Sequence, residues 1–458
     1  MYDLLITGGA IIDGTGAAPV RGDVAVSAGR IAEIGELSAA PAAHVIDATG
    51  RVVAPGFIDV HNHSDGWLHL DTNLAAKTRQ GFTTEVLQSD GLGYAPMVPA
   101  DAADWFHYLR TLDGLPLDRY TGWQSIADYL DHLDGTTAQN VAVQIPYANL
   151  RVMACGWGRA PADDAQIQIM RRLVEQGLED GAVALSTGLD YVAECFAGTD
   201  EIARVIAPLA GAAAPYVTHI RYKAGLLAGL DEAAEITRRA ACPLHVSHLK
   251  AIAPDQTTPL LAWIDRHAGG ATQFSYDLYP YLPGSTMLAS LLPYEVWEDG
   301  PLAVTAKLGD TAVRRRFEAL LDAHRASLDQ IRIAWADGSA GATATGLTLA
   351  AWAEQSRASV ADALCELLVD SDLAALGVFE LGDDRLAYPF LEHAAQMVGS
   401  DGILAPAGRV HPRAYGTAPR MLGPLVRDAS LFSLETAIHK MTGYPARVFQ
   451  LADRGVIR

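Results

Sequence analysis

Two histidines stand one residue apart at the end of an apolar run, in the stretch Gly56-Phe57-Ile58-Asp59-Val60-His61-Asn62-His63. If this run is a β-strand, alternate side chains share a face, so His61 and His63 point the same way. Neutral imidazole is the commonest protein ligand for zinc-like ions. An H-x-H pair alone is equally compatible with a structural or surface role, so its meaning depends on the rest of the chain.

Four further residues of metal-ligating type follow apolar runs in the same way. Asp90 lies just beyond the second run, His219 and His248 end the fifth and sixth, and Asp401 ends the eighth. Singly, each has an ordinary explanation, since strand histidines are often hydrogen-bonded core residues and Gly399-Ser400-Asp401-Gly402 is typical of a turn. Their recurrence at successive strand ends favours a joint site for one or two divalent ions.

The elements that must position these residues form an alternating pattern from about residue 53. Apolar β-like runs are separated by helical stretches, clearest at Asp164 to Leu178, Gly225 to Ala241 and Leu260 to His267. This predicts an α/β fold, a (β/α)8 TIM-like barrel, whose active site lies at the carboxyl ends of the strands. The predicted strands are Phe57 to Val60, Thr83 to Leu87, Val141 to Ile145, Ala182 to Ser186, Tyr216 to Ile220, Leu244 to Ser247, Gln273 to Asp277 and Ala395 to Gly399.

The chain divides into three parts by the same criteria. Residues 1–52 form short predicted strands broken by turn residues, which indicates a small β unit before the barrel. Residues 53–440 are assigned to the barrel, and 284–394 is too long for one crossover, so we expect an inserted lid or subdomain there. Residues 441–458 follow the last helical stretch.

Composition excludes some classes of binding partner and indicates the cellular compartment. The 458 residues carry a formal net charge of −20, which argues against a nucleic-acid groove or an anionic membrane surface. No apolar run reaches the ~18 residues of a membrane span, and the N-terminus lacks a basic leader. The four cysteines are far apart without a C-x-x-C pair, so neither a zinc ribbon nor a disulfide framework is predicted. We expect a soluble, cytoplasmic protein with a small-molecule substrate; the oligomeric state is left open.

The candidate ligands indicate hydrolytic chemistry. A bound divalent ion polarises a carbonyl and lowers the pKa of its water from about 15.7 to about 7. A carboxylate beside that water can accept its proton and later give it to a departing amine. Asp401 is the predicted general base, because it is a carboxylate at a strand end. Amide hydrolysis is the reaction that such a set serves most naturally.

Several motifs now carry a resemblance along nearly the whole chain. The segment from Val53 to His63 resembles the signature of the metal-dependent amidohydrolase superfamily. Within it, the chain is similar to the N-acyl-D-amino-acid deacylases (D-aminoacylases). The motifs that carry this are Gly81-Phe82-Thr83-Thr84, Leu185-Ser186-Thr187-Gly188-Leu189-Asp190-Tyr191, Thr218-His219-Ile220-Arg221, Val246-Ser247-His248-Leu249-Lys250, Tyr279-Pro280-Tyr281, Gly399-Ser400-Asp401-Gly402 and His411-Pro412-Arg413-Ala414-Tyr415-Gly416-Thr417.

The resemblance implies a fold and a metal cofactor. The barrel would carry a small β-sandwich built from both ends of the chain, and family members continue into further strands beyond the position of Arg458, so residues 441–458 would return to a small or incomplete sandwich. It also implies zinc, with other divalent ions as the alternative. His219 and His248 would hold the tighter ion, and His61 and His63 a second one.

The resemblance further implies the substrate-binding residues. Asp401 matches the family's general base, and Tyr191 would lie near the reacting carbonyl. An N-acyl amino acid carries an anionic carboxylate, for which an arginine fork and a lysine charge form a suitable clamp. Arg221 would line the site or brace it. The implied clamp consists of Lys250, Arg413 and one tyrosine of the pair Tyr279 and Tyr281.

Two departures from the family pattern stand out. Family members carry a cysteine ligand after the second strand, where this chain has Asp90 in Gln88-Ser89-Asp90-Gly91; a carboxylate can still coordinate or bridge, with a shift towards harder ions. Pro146-Tyr147 replaces a Gly-His pair that we expect near the substrate. Ser186 ends the fourth strand, so a carbamylated lysine of the hydantoinase type is not predicted.

The sequence therefore predicts a metal-dependent hydrolase of N-acyl-D-amino acids. The alternative is an amidohydrolase acting on a cyclic ureide, a dipeptide, or a xenobiotic amide, carbamate or ester. A non-catalytic binding protein of the same fold is the third interpretation, and the retention of all four histidines and Asp401 speaks against it.

Overall fold

The barrel sheet contains eight strands in chain order, each hydrogen-bonded to the next, and every recorded pairing between them is parallel. The structure is a computed structural model, and it describes residues 1–270, 273–322 and 325–458. All eight predicted strands are present, with ends that differ by one or two residues. From first to eighth they are Phe57–Asp59, Phe82–Leu87, Asn140–Pro146, Ala184–Gly188, Tyr216–His219, Leu244–Val246, Phe274–Asp277 and Gln396–Met397.

The first and eighth strands are joined just beyond their carboxyl ends. There Asn62–His63 pairs in parallel with Gly402–Ile403. The backbone N–H of Asp401 also donates to the carbonyl oxygen of His61, with 2.7 Å between N and O. This contact completes the ring, and the predicted (β/α)8 TIM-like class is confirmed.

Helices fill the crossovers between successive strands. The helix Asp164–Glu179 shows why: Asp163 forms a capping box with Gln166, and Ile167, Met170 and Val174 are buried at three- and four-residue spacing. The three predicted helices are confirmed, the last one beginning earlier, at Pro254. Up to the seventh strand the α-helices are Trp67–Leu70, Ala75–Thr78, Ala102–Leu109, Ile126–Leu133, Tyr147–Cys155, Asp164–Glu179, Thr199–Val205, Leu209–Ala212, Leu226–Ala240 and Pro254–Ala268.

The long segment between the seventh and eighth strands has its own antiparallel sheet. Its strands are Gly284–Met287, Ile331–Ala336 and Ala375–Phe379, with the last in the centre. Helices Val304–Lys307, Thr311–Asp322, Gly338–Ala344, Leu349–Ser356, Val360–Asp370 and Tyr388–Glu392 complete it. After the eighth strand the chain continues through Arg413–Arg420, a π-helical stretch Met421–Asp428, Leu434–Met441 and Gly443–Val448.

The C-terminal segment closes the amino-terminal end of the barrel. Phe449 is fully buried against the barrel interior, and its ring centroid lies 5.5 Å from that of His245. The hydroxyl of Tyr444 donates to the carbonyl of Ala395, just before the eighth strand. The interior at this end is a small apolar cluster of Ile58, Val60, Val86, Ala142, Ala184, Val217 and Met397 together with Tyr444, Ala446 and Phe449.

The N-terminal residues form a five-stranded sheet rather than a two-sheet sandwich. Its strands are Tyr2–Ile11, Val20–Ser27, Arg30–Gly35, Ala42–Asp47 and Val52–Val53. Residues 441–458 add no strand to it. Ile457 alone packs on its inner side, and its N–H donates to the carbonyl of Asp13. The predicted return of the C-terminus to this unit therefore consists of these contacts of Ile457 and an ion pair between Arg30 and Asp453, without an added strand.

Over the described ranges, each helix is too short or too polar to cross a bilayer.

We expect Phe449→Ala to lower the free energy of unfolding by about 3–5 kcal/mol, since it opens a cavity in a closed apolar cluster. Urea unfolding of the purified protein measures this value. Leu227→Ala, on an exposed part of a crossover helix, is the control and should change stability by less than about 0.5 kcal/mol. Equal effects of the two substitutions would contradict the closing role of Phe449.

Candidate metal centre and substrate cavity

Six side chains from five strand ends converge at the carboxyl face of the barrel. They supply ligand atoms in three overlapping groups, each within 4.8 Å. The first group is His61, His248 and Asp401, the second is His61, His63 and Asp90, and the third is Asp90, His219 and His248. Every metal ligand predicted from the sequence is therefore brought to one place.

Asp90 occupies the centre of this arrangement. Its Oδ1 lies 3.5 Å from His61 Nε2 and 3.9 Å from His248 Nε2, and its Oδ2 lies 3.7 Å from His63 Nε2. One carboxylate thus faces both histidine pairs, with Oδ1 close to one histidine of each pair and Oδ2 close to His63. The side chain that departs from the family pattern stands where a bridging ligand would be needed.

Three of the six residues have backbone conformations that L side chains rarely adopt. The φ angles are +56° at Asp90, +40° at His248 and +48° at Asp401. Non-glycine residues in this region cost on the order of 1–3 kcal/mol and persist only when their surroundings hold them. Ser186 helps to hold Asp90: its hydroxyl donates to Gln88 O and accepts from Gly91 N, so this strand end serves as a brace.

A second layer of carboxylates orients the histidines. Asp113 lies 3.4 Å from His63 Nδ1, and Asp277 lies 3.4 Å from His61 Nδ1 and accepts from the backbone N–H of His248 at 3.0 Å. Asp190 lies 3.6 Å from His219 Nε2. Such outer partners fix the ring orientation and raise ligand basicity. His245 contacts Asp277 from inside the barrel, with 3.0 Å between Nε2 and Oδ2.

These carboxylates were not predicted as site residues. Asp277 ends the seventh strand and Asp190 belongs to a quoted motif, so the strand-end criterion could have found the first of them. Asp113 lies in a long connection after the helix Ala102–Leu109, where the sequence pattern carries no signal for it.

The electrostatics of the centre favour a cation. Burial opposes the charge of Asp90, but His61, His219 and His248 outweigh it and hold the pKa of this carboxyl well below its usual range. For Asp401 burial is likewise outweighed, by Arg413 and His61, and the pKa is well below normal. Both groups therefore carry negative charge inside the protein at neutral pH.

The residues fit a divalent ion. His61 Nε2 and Asp90 Oδ1 are buried and have no hydrogen-bond partner among the described residues. Unpartnered buried polar atoms are rare and call for a specific explanation. Imidazole nitrogens and carboxylate oxygens are ligands that zinc accepts, so an ion between these two atoms provides one.

The centre opens into a cavity of about 360 Å³. The barrel supplies its floor, while the inserted segment supplies a wall through Gly284 to Thr286, Ser290, Leu291, Phe379 and Leu381. A cavity of this size and lining is typical of a small-molecule site.

Three of the predicted substrate-binding residues form one cationic corner of this cavity. Lys250 Nζ donates to the Tyr279 hydroxyl at 2.7 Å, and the guanidinium carbon of Arg413 lies 4.5 Å from the centre of the Tyr279 ring. Arg413 Nη1 also lies 2.7 Å from Asp401 Oδ2. Burial, aided by the charge of Arg413, lowers the pKa of Lys250 to about 7. The corner is thus buried, it lies beside the candidate base, and its permanent positive charge is that of Arg413.

Tyr191 lines the cavity as predicted from the family motif. Its ring centroid lies 4.8 Å from that of His219, and its hydroxyl is 3.3 Å from Thr286 Oγ1.

Three further residues do not line the cavity; for Arg221 this is the bracing alternative of its prediction, and of the tyrosine pair it is Tyr279 that joins the corner. Tyr281 is not among the residues that line the cavity; its ring packs under the guanidinium of Arg420 instead. Arg221 braces the loop that carries Tyr191, donating to Glu232 and to three backbone carbonyls from Leu189 to Ala197. Tyr147 is fully buried with its hydroxyl on Glu201, and Pro146-Tyr147, which we expected near the substrate, is not among the residues that line the cavity.

The amidohydrolase family model matches residues 44–458. The chain belongs to the amidohydrolase family. An N-acyl-D-glutamate deacylase of Alcaligenes xylosoxydans xylosoxydans is 35% identical over 465 aligned residues, which cover 99% of this chain and 84% of that protein.

Two solved structures show the same architecture. The N-acyl-D-glutamate deacylase of Bordetella bronchiseptica, complexed with zinc and a phosphonate inhibitor that mimics the tetrahedral intermediate of the reaction, superimposes with a TM-score of 0.83 at 33% identity and covers 100% of this chain and 88% of its own. A D-aminoacylase with a binuclear metal centre gives 0.79 at 31% identity, with coverage of 100% and 87%. The likeness extends over the whole of this amidohydrolase.

We expect Asp90→Asn to weaken zinc binding by more than the about 10- to 100-fold that is typical of losing an outer partner of a ligand. The amide keeps the size of the side chain and removes the charge that faces both histidine pairs. Zinc titration of the stripped protein measures the affinity. Asp384→Asn is the control, because Asp384 pairs with Arg420 away from the cavity; unchanged affinity in Asp90→Asn would refute the central role of Asp90.

Proposed function

We propose that the protein is a metal-dependent hydrolase that removes the acyl group from N-acyl-D-amino acids. The observation that carries this proposal is the cationic corner of Lys250, Tyr279 and Arg413, which opens into the same cavity as the six metal-ligating residues. An N-acyl amino acid presents a carboxylate next to its amide. A clamp beside a metal centre can hold the carboxylate while the amide reacts.

The relatives support the same substrate class. Their names specify N-acyl-D-glutamate and other N-acyl-D-amino acids, and the assignment of D rather than L configuration comes from them. The phosphonate in the Bordetella structure mimics a tetrahedral species, as expected for addition of water to an amide carbonyl.

One or two zinc ions would be held by His61, His63, Asp90, His219, His248 and Asp401. When bound, such an ion polarises a carbonyl oxygen and makes a water molecule more acidic.

Asp401 carries out the proton transfers. Its low pKa keeps it ionised, so Oδ1 or Oδ2 can accept the proton of the attacking water while the water oxygen bonds to the amide carbon. The C–N bond then breaks, and Asp401 returns that proton to the leaving nitrogen. The products are a carboxylic acid and a free amino acid, and Asp401 ends ionised as it began.

The clamp orients the substrate relative to that base. Arg413 touches Asp401 through Nη1 and the carbonyl of Ser285 through Nη2, so its position is fixed from two sides. A carboxylate that binds Lys250, Tyr279 and Arg413 therefore places the neighbouring amide near Asp401. Holding a substrate in this way removes much of the entropic cost of reaction.

The wall that faces the side chain of the substrate is mainly apolar. Ile252, Leu291, Phe379 and Leu381 line it. Lys223 is the additional cation at the mouth of the cavity, and it already lies over the Tyr294 ring and donates to the Ser290 carbonyl, with Asp190 close to its backbone. Because Lys223 already makes these contacts and its neighbours on this wall are apolar, we propose that apolar D-amino acids are preferred.

We also propose that the enzyme works in the cytoplasm. Its four cysteines are free thiols, two of them buried, which suits a reducing compartment.

Amine release from paired N-acetyl-D- and N-acetyl-L-amino acids tests the proposal, using zinc-loaded protein. We expect hydrolysis of the D members only, with the highest kcat/KM for leucine and methionine and lower values for glutamate and aspartate. Asp401→Asn should lower kcat by about 10²- to 10⁴-fold. Hydrolysis of hydantoins or aryl amides but of no N-acyl-D-amino acid would move the function to the cyclic-ureide or xenobiotic alternative.

We expect Lys250→Met to raise KM by about 10- to 100-fold with little change in kcat, because a charged hydrogen bond to the carboxylate is worth about 1.5–3 kcal/mol and is made equally before and during reaction. Steady-state kinetics on the best N-acyl-D-amino acid measures both constants. With the corresponding carboxamide, wild type and variant should perform alike. A large loss for the carboxamide as well would contradict the role of Lys250 as a carboxylate clamp.

A further inference from the structure

A fully buried lysine lies beneath the loop that carries the candidate base. Lys77, on the short helix Ala75–Thr78, places its Nζ 2.6 Å from Asp59 Oδ2 and 2.6 Å from Ser400 Oγ. Burying an ammonium group is costly unless it is paired and hydrogen-bonded. Asp59 provides the charge and Ser400 the second acceptor.

Ser400 is held through its backbone N–H and its hydroxyl. Its backbone N–H donates to Asp59 Oδ1 at 2.8 Å and its hydroxyl donates to Asp59 Oδ2 at 2.6 Å. The same hydroxyl oxygen accepts from Lys77 and from the backbone N–H of Gly402 at 3.1 Å. A hydroxyl has one donor and two acceptor positions, so this hydroxyl is fully used.

Asp401 is the residue between these anchored neighbours. Its backbone is in the left-handed region, and its N–H donates to His61 O. A residue cannot relax from such a conformation when both neighbours are fixed. A side chain at Gly402 would also meet Lys77, since its Cβ would come within 3.1 Å of Nζ. The ammonium group therefore packs directly under the turn that aims the Asp401 carboxylate.

We propose that Lys77 is a positioning residue for the reaction: through Asp59 and Ser400 it holds Asp401 in the orientation needed for proton transfer. Lys77 does not line the cavity and touches neither substrate nor ligand atoms. The inference rests on the proposed hydrolase function, because it assigns Lys77 to the geometry of that base.

A purely structural role for Lys77 is the competing explanation, and the chain contains a matched control. Lys440 is also buried and lies beside the eighth strand, where it donates to the carbonyls of His393 and Gln396. It has no contact with Ser400 or Asp401. Loss of a buried, hydrogen-bonded lysine side chain is thus common to both substitutions, while loss of the support for Asp401 is particular to Lys77.

The test compares Lys77→Met, Ser400→Ala and Lys440→Met in the zinc-loaded protein. We expect Lys77→Met to lower kcat by about 10- to 100-fold, the cost of a misplaced catalytic group, with KM changed less than about threefold. Ser400→Ala should lower kcat in the same direction by a smaller factor. Lys440→Met should lower the melting temperature but leave kcat per folded molecule unchanged.

The absorption spectrum of the cobalt-substituted protein gives a second readout that does not depend on turnover. We expect Lys77→Met and Ser400→Ala to shift the cobalt bands, because Asp401 belongs to the ligand set, and Lys440→Met to leave them in place. If Lys77→Met does not fold, Ser400→Ala and the charge-neutral pair Lys77→Met with Asp59→Asn decide the question by the same measurements.

Each outcome separates the two proposals. Equal kcat values and spectra for wild type, Lys77→Met and Ser400→Ala would overturn the positioning role, and so would equal losses in Lys77→Met and Lys440→Met. If wild type hydrolyses no N-acyl amino acid, the proposed function fails, while the cobalt spectra still show whether Lys77 sets the position of Asp401.

Discussion

Closure of the barrel between its first and last strands is the contact on which the centre depends. The pairing of Asn62–His63 with Gly402–Ile403 joins two segments that are more than three hundred residues apart in the sequence. His61 and Asp401 then share a backbone hydrogen bond. Without this strand pairing, the histidine pair and the Asp401 carboxylate would lie at opposite edges of an open sheet. The pairing is short, with two residues on each strand. It is supported by the neighbouring side chains of Lys77, Asp59 and Ser400.

The same closure concentrates negative charge in a small buried volume. Asp90, Asp401, Asp277 and Asp113 each lie within 3.5 Å of His61 or His63. Their mutual repulsion is opposed by Arg413 on the cavity side and by protonatable imidazoles within the cluster. Such an arrangement is stable only with compensating cations. A bound metal ion supplies such positive charge, so the protein's own electrostatics favour the metal that its family implies.

The parts that could be predicted from sequence are those governed by short-range pattern. Apolar runs identified the eight strands, and the rule that barrel sites lie at carboxyl strand ends located the six ligand candidates. Residues outside that rule were less predictable: Asp113 comes from a long connection, and Arg221 and Tyr281 have charges or rings whose partners, Glu232 and Arg420, cannot be read from local sequence. The resemblance anticipated the N-terminal β unit, but it did not anticipate that the C-terminal residues close the barrel and add no strand to that unit, since this depends on tertiary packing.

The barrel and the inserted segment contribute different residues to the cavity. This affects how substrate selectivity can change among such enzymes. The metal ligands and the clamp residue Lys250 belong to the barrel. Leu291, Phe379 and Leu381 belong to the inserted segment, which contains a three-stranded sheet of its own. Mutations in that segment can reshape the surface seen by a side chain without touching the reacting atoms. Selection can therefore retune selectivity and turnover separately, and recombination that exchanges the whole insertion between homologues offers a short evolutionary route to a new substrate.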